Sequence, residues 1–186
     1  FSHFSPMDKQ VIAHHIENDI ISSAIYSPCK TYRYSLSRTQ INAKKSLLFI
    51  LLNPSTATEK KNDPTIARCQ QRARHLGYKS FIICNLFAYR TKSPTLMKNY
   101  HAPIGSENNR IIEENLNFAD RVICAWGNHG SHLNQAKTII KLIESVGISA
   151  YHLGLTKSNQ PVHPLYIQYN QKPVLWKKKE TLCKTV

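Results

Sequence analysis

The sequence predicts an α/β fold, a three-layer α-β-α sandwich around a mostly parallel sheet of four to five strands. Three observations carry that expectation. Leu47 to Leu52 is continuously apolar, as a central strand covered on both faces must be. Similar short apolar runs recur at Ser80–Cys84, Arg121–Ala125 and Ser149–Leu153. Stretches with helical periodicity separate them, and strand–helix alternation at this spacing is the mark of βαβ units.

The elements follow in order. Ser5-Pro6-Met7-Asp8 reads as a helix start, with Pro at the first helical position. Val11, Ile12, Ile16, Ile20, Ile21 and Ala24 continue it at helical spacing to about Tyr26, so residues 1–30 are expected to form an N-terminal helix. Tyr32 to Arg38 alternates and predicts an edge strand. After the central strand comes a polar loop, Asn53 to Asn62. Asp63-Pro64 caps a helix to His75, which Gly77 ends. The strand Ser80–Cys84 leads through a long loop to a helix from about Ser106 to Phe118. The strand Arg121–Ala125 leads to a helix from Ser131 to Val146, stopped by Gly147. A short strand, Ser149–Leu153, precedes a Pro-rich tail. With no internal repeat, linker or low-complexity block, the 186 residues are expected to form one domain.

Composition narrows the function classes. The 41% apolar content is that of an ordinary globular chain, and no apolar run approaches the roughly 20 residues of a membrane span. Phe1 to Lys9 lacks the basic-then-apolar pattern of a signal peptide, and the chain opens without an initiator Met. Five cysteines without a CxxC pair predict reduced thiols and a cytoplasmic setting. Lys and Arg number 25 against 11 Asp and Glu, a net charge of +14. The excess is uneven: no carboxylate lies between Asp63 and Glu107, or between Glu144 and Glu180. Arg68, Arg72, Arg74, Lys79, Arg90, Lys92 and Lys98 fill the first interval; Lys157, Lys172, Lys177, Lys178 and Lys179 fill the second. Such segments point to a phosphate-rich polymer, with a merely solvated basic face as the plain alternative.

In open α/β sheets the ligand crevice lies beyond the carboxyl ends of the strands. There the sequence places Asn53-Pro54-Ser55-Thr56, then Asn85-Leu86-Phe87-Ala88-Tyr89-Arg90, then Trp126-Gly127-Asn128-His129, and finally His163-Pro164-Leu165-Tyr166. Polar, aromatic and rigid positions cluster on one expected edge. Other chemistries lack their marks. There is no P-loop or GxGxxG, no Gly-flanked nucleophile elbow, and His129 and His132 have no companion ligands at metal-binding spacing. Neither a metal nor a cofactor is expected.

Tyr32-Arg33-Tyr34, Leu52-Asn53-Pro54-Ser55-Thr56-Ala57, Asn62-Asp63-Pro64-Thr65, Asn85 to Arg90, Ala125-Trp126-Gly127 and His163-Pro164-Leu165-Tyr166 together resemble a bacterial and phage family classed as a domain of unknown function, over about residues 32 to 176. More distantly, strand–Asn-Pro-small, strand–Asn-aliphatic, strand–x-Gly and His-Pro in that order are similar to the uracil-DNA glycosylase superfamily. That resemblance implies a glycosylase-like fold and hydrolysis of the N-glycosidic bond of a flipped, uracil-like or modified base in DNA, in a repair or phage-defence setting. It implies that Asn53 positions the attacking water, that Asn85 reads the base and that His163 supports the departing base. The chain differs in having Leu165 after the His-Pro pair, where Ser is usual, and no Gly after Pro54.

Residue chemistry agrees with these roles. Asn85 offers two donors and an acceptor for a base edge. Phe87 or Tyr89 offers a ring to stack on the base, or core packing in the case of Phe87. His163 can stabilise charge leaving onto the base. Asn53 cannot take a proton. Asp63 is the carboxylate near this loop and is expected to act either as a general base or as the cap of the Pro64 helix. Pro54, Ser55, Thr56, Arg90, Trp126 and Gly127 complete the expected substrate-binding set, with Ser55, Thr56 and Arg90 as phosphate contacts. The expected partner is DNA with an extruded base. The alternatives are a binding module of the same fold without catalysis, and an enzyme acting on free nucleosides or nucleotides.

Overall fold

A computed structural model describes residues 9–177. All eight strands form one mixed sheet, in the order β1-β2-β3-β5-β4-β6-β7-β8. The strands are β1 (Val11–Glu17), β2 (Ile20–Tyr26), β3 (Arg33–Gln40), β4 (Ser46–Leu51), β5 (Ser80–Asn85), β6 (Arg121–Cys124), β7 (Ala150–His152) and β8 (Val174–Lys177). The helices are α1 (Pro64–His75), α2 (Pro94–Asn99), α3 (Asn108–Phe118) and α4 (Gln135–Val146).

The α/β class holds, but the mostly parallel sheet does not. The strands β5, β4, β6 and β7 form a parallel block. Four of the seven strand pairings are antiparallel, because β1, β2 and β3 extend one side of that block and β8 the other. The strand expected at the edge, β3, therefore lies inside, between β2 and β5.

The N-terminal helix is replaced by a hairpin. Val11 pairs with Tyr26 and Glu17 with Ile20, and Asn18 and Asp19 turn the chain at φ of 48° and 62°. Two successive left-handed residues match the twist of a tight hairpin, and Asn and Asp tolerate that conformation. The isoleucines that fit helical spacing fit two antiparallel strands equally well, and β-branched residues favour the latter. Ser5 to Asp8, the expected helix start, lies outside the described residues.

Alternation explains the central strands. Leu48 and Ile50 of β4 pack toward α3 and α4 with Ile112, Leu116, Ile139 and Ile143. Leu47, Phe49 and Leu51 pack the other way, against Ile66, Cys69 and Ala73 of α1. The β5 residues Phe81 and Ile83 belong to the α1 side, which by the same period turns Asn85 toward the N-terminal end of α1. Asp63 caps α1 by accepting from the Ile66 amide at 2.9 Å. The fourth helix starts later than expected because Leu133 and Asn134 adopt φ of 53° and 55°, leaving a 3-10 turn before it. The Pro-rich tail contributes strand β8 at the sheet's far edge, paired antiparallel with β7.

Candidate functional site

Where β4 and β5 end, the chain encloses a cavity of about 250 Å³. Asn53, Pro54 and Ser55 form one wall, Asp63, Thr65 and Ile66 from the start of α1 another, and His163 sits at the mouth. Asn85 reaches in from the end of β5 and Arg33 from β3, with Thr91, Lys92 and Pro94 closing the remaining side. The loops that form it are tied to one another. The Thr91 amide donates to the Pro54 carbonyl at 2.9 Å, and Asn53 Nδ2 donates to the Thr91 carbonyl at 2.8 Å and the Pro54 carbonyl at 3.2 Å. With its NH₂ so committed, Asn53 has Oδ1 left for a ligand or a water.

Asn85 is 1% exposed, and neither its Oδ1 nor its Nδ2 has a hydrogen-bond partner in the protein. Its backbone carbonyl is satisfied by Asn108 Nδ2 at 2.8 Å, so the strand end is held while the carboxamide is not. Buried polar groups are nearly always paired, so this open carboxamide in the cavity wall has a donor and an acceptor free for a ligand or a water.

Asp63 lines the cavity, but its oxygens are engaged: Oδ1 by the Ile66 amide and Oδ2 by the Ala57 amide at 3.3 Å. Its capping role is thus the one the structure assigns. His163 accepts the Leu165 amide on Nδ1 at 3.3 Å, which places the proton of the neutral ring on Nε2. Desolvation lowers its pKa below the ordinary imidazole value, with the charge of Asp63 acting in the opposite direction. The neutral donor form is therefore favoured at neutral pH.

Of the expected site residues, Asn53, Pro54, Ser55, Asp63, Asn85 and His163 meet in this cavity. The others do not line it. Thr56 points to solvent. Phe87 is fully buried in the core beneath α3 and α4, so it cannot stack on a ligand. Tyr89 lies flat against Tyr100, with ring centroids 3.8 Å apart. Arg90 sits over the Tyr26 ring and donates to the Lys30 carbonyl at 3.2 Å. Trp126 is buried, its indole N–H donating to Gln160 Oε1 at 2.8 Å. Gly127, at φ 73°, donates its amide to the Pro161 carbonyl at 2.7 Å and so supports the His163 loop from behind.

The basic segments are also partly accounted for within the chain. Arg68 and Arg72 of α1 both donate to the Ile167 carbonyl, Arg72 at 2.8 Å, and both lie against the Tyr169 ring. These arginines hold the segment after His163. Among the described residues, no group of three or more His, Cys, Asp or Glu is placed to hold a metal ion, and no helix is long and apolar enough to cross a membrane.

Arg33 is the lining residue that sequence reasoning passed over. Ser35 and Ser37 face the α3 side and Leu36 the α1 side, so strict alternation would turn Arg33 toward α3. A register shift between Ile25 and Tyr26 pairs Tyr26 with Arg33 and leaves Tyr34 out of the pairing. That irregularity redirects the Arg33 side chain to the cavity, where Nη1 donates to the Ala57 carbonyl at 2.8 Å. An Arg amid aromatic strand residues was the available signal.

Fold and site together define an α/β protein with a small polar ligand pocket at the carboxyl ends of parallel strands. The chain belongs to the family described as Protein of unknown function (DUF1643), whose model matches residues 33–165. No curated protein and no solved structure matches it.

Proposed function

We propose that the chain is a glycosylase-like enzyme, hydrolysing the N-glycosidic bond of an uracil-like or modified base extruded from DNA. The observation that carries the reading is the buried Asn85 carboxamide, with both polar atoms unpaired, at the head of a cavity shared with Asn53 and His163. A base edge bearing one donor and one acceptor satisfies both atoms at once. The order of Asn-Pro, Asn and His-Pro along the chain distantly resembles the uracil-DNA glycosylase superfamily, and the parallel block with helices on both faces is compatible with its sandwich.

In this reading Asn53 Oδ1 accepts from a water aimed at the sugar C1′. The bond from C1′ to the base breaks, the electron pair leaves with the base, and the water oxygen bonds to C1′. Nε2–H of His163 hydrogen-bonds the oxygen on which the negative charge gathers, and the proton lost by the water neutralises the departed base. A donor aimed at charge that develops only during bond breaking stabilises the transition state above the ground state.

One observation favours a second reading, a binding module without catalysis: Asp63 is the carboxylate lining this cavity, and backbone amides occupy both its oxygens. The deciding experiment measures base release from single- and double-stranded oligonucleotides carrying uracil, mismatched, deaminated and hypermodified bases. Release by wild type that is lost in Asn53→Ala and His163→Ala, with DNA affinity retained, supports the enzyme. Salt-sensitive binding without release supports the module. Turnover of free nucleosides in place of oligonucleotides moves the substrate off the polymer, an outcome with which the internal use of Arg68, Arg72 and Arg90 agrees.

A further inference from the structure

Resting on the base-binding reading above, we infer that the pocket selects a negatively charged ring, a pyrimidine bearing a carboxylate or comparably acidic substituent, in preference to neutral uracil. The juxtaposition of Arg33 with Asn85 leads there. Arg33 is 1% exposed, so its guanidinium has given up nearly all its hydration. Its Nη1 has the Ala57 carbonyl, while Nε has no partner, and no carboxylate pairs with it among the described residues. A buried cation without a hydrogen-bonded counter-ion is costly, and a contacting anion offsets that cost.

Asp63, which also lines the cavity, attracts Arg33 through space but forms no ion pair with it. The Asp63 oxygens are taken by the Ala57 and Ile66 amides, so Arg33 Nε is left without a contacting carboxylate oxygen. Lys92 at the rim adds positive charge, and His163 adds none that is negative. Burial lowers the Arg33 pKa to about 10, which leaves the group cationic at neutral pH. The planar guanidinium fork matches a carboxylate, and Asn85 beside it matches the adjoining amide edge of a pyrimidine-dione. The cavity, at about 250 Å³, is at the small end for ligand sites and suits one substituted ring rather than a whole nucleotide.

The test is calorimetric titration of the full chain with uracil, 5-carboxyuracil, orotate, uridine monophosphate and inorganic phosphate. At least one carboxylated ring should bind about tenfold or more tightly than uracil, the usual scale of a charge-assisted hydrogen bond. Arg33→Gln should abolish the preference, bringing carboxylated and neutral rings to parity, while Asn85→Leu should weaken every ring. Uracil binding as tightly as both carboxylated rings overturns the inference and leaves the base-binding reading standing. Phosphate or the nucleotide binding as tightly as the carboxylated rings overturns it by assigning Arg33 to a backbone phosphate. Binding of no ring at all defeats the base-binding reading and this inference together. The wild-type ranking decides the matter even where Arg33→Gln does not fold.

Discussion

Asn53 and Thr91 are joined by a hydrogen bond of 2.8 Å from the Asn53 Nδ2 to the Thr91 carbonyl, which locks together the loops after β4 and β5. The same Nδ2 faces the Pro54 carbonyl. Aspartate has no hydrogen to offer there, so Asn53→Asp should set a carboxylate oxygen against two carbonyl oxygens. We expect a loss of about 1–3 kcal/mol, larger at pH 8 than at pH 4, where the carboxyl is protonated. Urea unfolding at the two pH values measures it; equal stability of variant and wild type at both would remove the lock.

Asn85 should trade stability for function. Replacing a buried, unpaired carboxamide with a hydrocarbon of similar size removes a desolvation penalty, so Asn85→Leu should be more stable by about 1 kcal/mol. The same variant should weaken ring binding and lower base release. A destabilised Asn85→Leu would mean that the amide is satisfied within the folded protein.

For Asp63, geometry separates capping from proton transfer. Asp63→Ala forfeits the bonds to the Ile66 and Ala57 amides and should cost about 1–2 kcal/mol. Asp63→Asn keeps a capping oxygen and should retain most of the stability and, where turnover is found, most of the rate. A collapse of kcat in a stable Asp63→Asn protein would restore the general-base role.

Arg72 anchors the chain that follows His163. Arg72→Ala removes its donations to the Ile167, Gln168 and Gln171 carbonyls and should cost about 2 kcal/mol. Exposed Arg74 on the same helix should change stability by no more than about 0.5 kcal/mol when cut to Ala. Hydrogen exchange should accelerate across 163–171 in the first variant and stay at the wild-type rate in the second.

The histidines set the direction of the pH dependence. Desolvation lowers the pKa values of His129, His152 and His163 in the folded protein below the ordinary 6.5. The unfolded chain therefore binds more protons just below 6.5, so the stability these neutral rings contribute is full above that value and drains away as pH falls through the folded values. The urea midpoint should drop between pH 7 and pH 5, and His163→Gln should flatten the slope. A midpoint that rises on acidification would contradict the assignment.

The central strands were legible because burial on both faces makes β4 and β5 uninterrupted apolar runs, and the Asp63-Pro64 start of α1 was legible because capping is local chemistry. The hairpin of β1 and β2 was not, since its isoleucines satisfy two periods and the decision fell to Asn18 and Asp19 in the turn. Asn53, Asn85 and His163 were found from their places after apolar runs. Phe87, Trp126 and Arg90 stood in similar places but turned inward or onto the chain's own groups, a distinction set by tertiary packing that no local pattern encodes. Arg33 was hidden by one residue of strand register.

Helix α1 frames the pocket with its first turn and, through Arg68 and Arg72, grips the segment that carries His163. The helix that forms one wall is thereby tied, through the Ile167 carbonyl, to the segment that follows the His163 wall. Recognition in such a pocket should discriminate by shape and charge at first contact, with little of the slack that lets a hinged site mould itself to near misses.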